Sequence, residues 1–182
     1  MTLATSIEEE VFRGIQGLDK LLRRLRETPV RKTVFLFSGG MPVADRAGGR
    51  PTIGREVRLL GEQAAYANAT IHTVYFDTNM LNEFSVDSRR PKSSGGRTRV
   101  INTRALAEFT EPSGGALIEV GLGPGDSQID KLVGQISTYY VLGVEPELRD
   151  RDGRPHRLDV KVEAKNVQLR SRELVIVPRP SN

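Results

Sequence analysis

Cysteine and tryptophan are both missing from this chain, and aromatic residues make up only 5% of its 182 residues. Without a thiol there is no disulfide framework, no thiolate zinc site, no Fe–S cluster and no cysteine nucleophile. The same absence leaves the redox compartment open. No run approaches the roughly 18–20 consecutive apolar residues of a membrane helix. Met1-Thr2-Leu3-Ala4 leads into acidic residues, not into the basic and then apolar pattern of a secretory signal. The expectation is a chain with no membrane span and no export signal of its own. A hydrophobic content of 37%, with 18 Gly and 10 Pro, excludes a collagenous or wholly disordered chain and fits a globular one.

Charge is present in both signs, with 27 Lys and Arg against 23 Asp and Glu, for a net charge of +4. Such an excess favours anionic partners only where it is clustered. Arg89, Arg90, Lys92, Arg97, Arg99 and Arg104 form one cluster, with Asp87 the only acid close by. Cations of this kind can contact phosphates, but no aromatic residues are interleaved to stack on bases. A solvated loop is the simpler account, and nucleic-acid binding is the weaker alternative.

The periodicity alternates between helix and strand. Two overlapping helix-start signals, Thr5-x-x-Glu8 and Ser6-x-x-Glu9, predict a helix from about Ile7. Val11, Ile15, Leu18, Leu22 and Leu25 share one face of it, and Thr28-Pro29 stops it. Thr33 to Ser38 reads TVFLFS, which predicts a strand buried on both faces, as in a parallel α/β sheet. Ile53, Val57, Leu60, Ala64 and Ala67 mark a second helix, with Thr52 as candidate N-cap and Asn68 near the C-cap. Thr70 to Asp77 predicts a second buried strand. An irregular stretch follows from Thr78 to Val100, then a short helix at Thr103 to Phe109 and a short strand at Ala116 to Val120. Asp126 can cap a helix carrying Ile129, Leu132, Val133 and Ile136. Strands are then expected at Tyr139 to Val144 and Leu158 to Val162, with one or two more within Val167 to Val177 and a turn at Asp152-Gly153. This order predicts parallel crossovers followed by an antiparallel appendage.

Few residues carry recognisable chemistry. Gly121, Gly123 and Gly125 lie between a strand and a helix, as in a dinucleotide-binding turn. Asp126, however, would repel a pyrophosphate at the helix start, and Pro124 removes one N–H from its cradle. A plain strand-to-helix turn is the better account, with nucleotide or phosphate binding as the alternative. His72 and His156 are the only histidines, and no converging set of metal ligands accompanies either. No nucleophile elbow or acid pair stands out. Neither catalytic residues nor a cofactor are expected.

The stretches RKTVFLFSGG, ANATIHTVYFDT, LAEFTEPSGGALIEV and ISTYYVLGVEPE, with DGRPHRLDVKVEAKNVQLRSR after them, resemble the bacterial von Willebrand factor type A-related domain family, in its acidobacterial branch. The likeness runs from Arg31 to Arg172. It implies a partial doubly wound α/β domain over residues 1–137, corresponding to the second half of such a domain, and a β-strand extension over 138–182. It also implies a ligand site at the carboxyl ends of the strands, where a divalent cation is held by an early D-x-S-x-S motif, a later Thr and an Asp after the strand matching TVFLFS.

Here the early motif is absent, and Gly39 in Ser38-Gly39-Gly40 takes the place of the Asp. Gly supplies no side-chain oxygen for a hard cation, so no adhesion-type metal site is expected. The resemblance implies a non-catalytic protein-binding module. Its candidate contact residues are Ser38, Gly39, Gly40 and Met41 in the first turn, Asp77, Thr78, Asn79 and Met80 in the second, and Leu122, Gly123 and Gly125 in the third. It also leaves the strand Thr33 to Ser38 without the neighbours a complete domain would provide. Such an edge invites pairing with a partner chain or a second copy. Related proteins are often exported, and localisation stays open.

Overall fold

The structure is a computed structural model that describes residues 3–41, 52–77, 95–120, 130, 132–134, 136, 139–167 and 169–179. Helix α1 (Leu3–Leu25) precedes strand β1 (Lys32–Ser38), and helix α2 (Thr52–Tyr66) precedes strand β2 (Ala69–Phe76). Helix α3 (Gly95–Thr110) leads to strand β3 (Leu117–Val120). β1, β2 and β3 form a parallel sheet in that order, with Lys32 set against Ala69, Ser38 against Tyr75, and Thr73 against Leu117. Strands β4 (Pro155–Arg157) and β5 (Leu174–Ile176) form a separate antiparallel pair.

The core forms because helical and strand periodicities converge on one side of the sheet. Val11, Ile15, Leu18 and Leu22 of α1 and Val57, Leu60 and Ala64 of α2 are buried as their spacing predicts. They join Ala105, Leu106 and Phe109 of α3 in one cluster with Ala69, Ile71 and Tyr75 of β2. Val34, Leu36 and Leu117 pack against it from the flanking strands. Successive strand residues point to opposite faces, so Thr33, Phe35 and Phe37 of β1 turn away from this core. Asn68 ends α2 at φ 51, the left-handed position that stops a helix.

Two short-range devices fix β3 against β2. Ser113 Oγ accepts the Ile71 N–H at 2.9 Å and donates to the Thr110 carbonyl at 2.7 Å, replacing a ladder bond where no strand runs. One residue further on, the Ala116 N–H donates to His72 Nδ1 at 3.1 Å. Beside them, the Thr73 and Thr110 hydroxyls meet at 2.6 Å and tie β2 to the end of α3.

Several sequence expectations are corrected. α1 starts at Leu3, so Thr5 and Ser6 lie inside it and are not its caps. α3 begins at Gly95, so the last part of the expected irregular stretch, including Arg97 and Arg99, is helical. β1 is not buried on both faces. Its residues alternate between half-buried and exposed, because only the face bearing Val34 and Leu36 packs on the core, and among the described residues β2 flanks it on one side alone. Tyr139 to Val144 forms no strand, since none of the described strands lies beside it. Leu158 to Val162 likewise stays outside the ladder, which occupies Pro155–Arg157 and is continued only by the Leu158 N–H to the Glu173 carbonyl at 2.7 Å. Of Val167 to Val177 only Leu174–Ile176 is strand. The helix after Asp126 is present at 130, 132–134 and 136, while Asp126 and the Gly121–Gly125 turn lie outside the described residues.

Candidate functional site

The carboxyl ends of β1 and β2 bring Ser38, Gly39, Gly40, Met41 and Asp77 to one edge of the sheet. The first turn there is closed on itself. Ser38 Oγ accepts the Gly40 N–H at 3.1 Å, and the Met41 N–H donates to the Asn102 carbonyl at 2.9 Å. Gly40 adopts φ 118, and a Cβ there would meet Asn102 Cβ at 2.8 Å, so only glycine fits between β1 and α3. Met41 is buried as part of the core. Thr78, Asn79, Met80, Leu122, Gly123 and Gly125 lie outside the described residues. Among the described residues, no three His, Asp or Glu side chains are grouped to hold a metal ion.

A different surface, on the strand whose edge the sequence reading left open for pairing, is apolar. Phe35 and Phe37 of β1 and Phe76 of β2 share the sheet face opposite the core, and Phe37 is 62% exposed. Phe35 stacks on the His72 ring at a centroid distance of 5.7 Å, and Phe37 on Phe76 at 6.2 Å. Toward the middle of the sheet the same face closes over, and Thr70, His72 and Val74 are buried. The open part is thus an aromatic flank running along the sheet's edge. Its signal in the sequence was the alternation within TVFLFS, which puts both phenylalanines on the face that Val34 and Leu36 do not use.

The edge beside this flank has no pairing strand among the described residues. The Lys32 N–H donates to the Asn68 carbonyl at 2.9 Å, toward β2. In a parallel ladder alternate residues direct their backbone groups to opposite sides, so Thr33, Phe35 and Phe37 direct theirs outward. Among the described residues no segment pairs with them. Tyr139 to Val144, whose first residue lies near Arg31 at the start of β1, has no regular secondary structure and is strongly exposed, with Tyr140 at 92% and Val141 at 80%.

The amino end of the sheet carries positive charge. The Arg31 guanidinium lies over the Tyr139 ring at 4.5 Å, and Lys32 Nζ donates to the Ala67 carbonyl at 2.7 Å and to the Thr28 carbonyl. Arg172 donates to the Asn68 side chain and carbonyl and reaches the Thr70 hydroxyl at 3.4 Å. Burial, and then Arg31, hold the Arg172 pKa below its ordinary value. Burial likewise pushes His72 down from 6.5, with Arg170 and Arg31 adding to the effect. The neutral ring this favours is the form whose Nδ1 can accept from Ala116.

His156 serves a turn. Its Nε2 meets Asp152 Oδ1 at 2.8 Å, and the same oxygen accepts the Arg154 N–H at 2.8 Å. The hydrogen bond from His156, and then that from Arg154, hold the Asp152 carboxyl below its usual range. An open cleft of about 560 Å³ runs between the approach to β3 and the hairpin, lined mainly by the stretches at Gly114–Leu117, Arg157–Val160 and Leu169–Ser171. No protein-family model, curated protein or solved structure matches this chain.

Proposed function

We propose that this chain is a non-catalytic protein-binding module, and that it binds through the aromatic flank and free edge of its parallel sheet. The observation that carries this proposal is the exposure of Phe35, Phe37 and Phe76 beside a strand edge that no described strand pairs with. Contiguous apolar surface next to unsatisfied backbone donors and acceptors is the usual ground for adding a strand from another polypeptide. The parallel order β1-β2-β3 with intervening helices, followed by an antiparallel pair, supports a partial von Willebrand type A-like reading, in which the flank lies where the rest of a doubly wound sheet would continue. Gly39 argues against a cation-dependent version of that module, because it has no ligand oxygen. The Ser38–Met41 and Asp77 end of the sheet is a secondary contact zone in this proposal.

The test is retention on an immobilised chain, comparing wild type with Phe37→Lys. The prey are soluble proteins of the source cell and, separately, the untagged chain itself. A prey held by wild type and lost with F37K supports binding at the flank. Equal retention by both baits overturns it.

A further inference from the structure

We infer that the occupant of the free β1 edge is the Tyr139–Val144 segment of a second copy of this chain, added antiparallel as a fourth strand and exchanged reciprocally. The inference rests on the protein-binding reading above and names its partner.

Each half of the contact is present in the chain and has no counterpart strand among the described residues. β1 is a seven-residue strand whose Thr33, Phe35 and Phe37 direct backbone groups outward. Tyr139–Val144 is of similar length, rich in aromatic and β-branched residues, and engages in no backbone hydrogen bond among the described residues. A segment so apolar and so exposed gains from any ladder that covers it.

Charge sets the direction. The amino end of β1 carries Arg31 and Lys32, whereas the segment is followed by Glu145. Antiparallel addition brings Glu145 to Arg31, while parallel addition carries it to the far end of the strand. The register that sets Glu145 against Arg31 places Val141 opposite Phe35 and Tyr139 opposite Phe37. Aromatic–aromatic and aromatic–β-branched pairs of this kind stabilise adjacent strands.

The same geometry assigns the segment to a second copy. In its own chain Tyr139 sits under Arg31, at the amino end of β1. Antiparallel addition requires Tyr139 at the carboxyl end, about 20 Å away at about 3.3 Å per residue. A chain cannot donate the segment to itself in this direction without breaking that contact. A second copy can, and the exchange made twice about a twofold axis closes a dimer.

The absence of cysteine makes the test clean. Two full-length variants, Phe35→Cys and Val141→Cys, are mixed in equal amounts and mildly oxidised, and sedimentation velocity is run on wild type, V141P and F37K. The expected result is a mixed F35C–V141C disulfide as the main product, a wild-type dimer, and dimerisation weakened at least about tenfold in each of the other two variants. Mixing V141P with F37K restores a dimer, since one intact edge and one intact segment remain. Both substitutions fall at exposed positions, and melting curves that match at a concentration where wild type is monomeric verify that the fold is kept.

A dimer that survives V141P, or a wild-type monomer at high concentration with no mixed disulfide, overturns the exchange. If F37K then still abolishes retention of another protein, the protein-binding reading stands and only its partner is wrong. If F37K changes nothing in either assay, both fall.

Discussion

Gly115 sits where the chain passes so close to β2 that a Cβ would lie 1.7 Å from the Ile71 carbonyl oxygen. Neither neighbour can yield, because Ile71 is fully buried and its N–H is held by Ser113. Gly115→Ala is expected to destabilise the fold by about 3 kcal/mol or more, read by denaturant unfolding. His72 gives a pH-dependent counterpart. Burial, Arg170 and Arg31 lower its folded-state pKa from 6.5, so below that value the unfolded chain binds a proton that the folded chain resists. Stability from this group is therefore fully present above pH 6.5 and is lost as pH falls below it. His72→Asn keeps an acceptor near Nδ1 but cannot titrate. Melting temperatures from pH 7 to pH 5 are expected to fall less steeply for H72N than for wild type.

Elements differ in what they lose when changed. Leu22 lies fully buried where α1 meets the core, and Leu22→Ala is expected to cost about 2–5 kcal/mol. Phe37→Lys, on the exposed face of β1, is expected to alter unfolding stability by no more than about 0.5 kcal/mol. The same contrast shows which parts of the fold were legible in the sequence. Val11, Ile15, Leu18 and Leu22 declare a helix through spacing alone, because an amphipathic helix carries its burial pattern within itself. TVFLFS was legible as a strand, but only the family resemblance, not its periodicity, implied an edge, since a short apolar run reads alike whether one neighbour flanks it or two. Tyr139 to Val144 was misread for a related reason. β-propensity describes a side chain that suits a sheet, whereas a ladder also needs a partner, and the described residues offer this segment none. The role of Ser113 and His72 in completing the β2 ladder depends on a fold-back from α3 that leaves no periodic trace. The aromatic flank was visible only as an alternation within β1, and its exposure could not be known before β1 was found at the edge.

At the scale of the whole molecule, α1, α2 and α3 pack with one face of the parallel sheet that the described strands form, and an aromatic flank remains open on the other. Among the described residues, the flank, the edge of β1 and the exposed segment each have the properties of a contact surface. The positive amino end of the sheet gives that surface a direction. It follows that added salt should weaken the contact, because Arg31 and Glu145 are paired across it near solvent, whereas the apolar part should be insensitive. A modest decline in dimer affinity between low and high salt, measured for wild type, checks that division.

Sedimentation velocity of wild type and F37K over a rising concentration series tests the account most directly. Wild type is expected to pass from monomer to dimer while F37K stays monomeric throughout, with a melting curve that matches wild type's at the dilute end of the series. Two chains that remain monomeric alike, or dimerise alike, would contradict a second copy docked on the flank of β1.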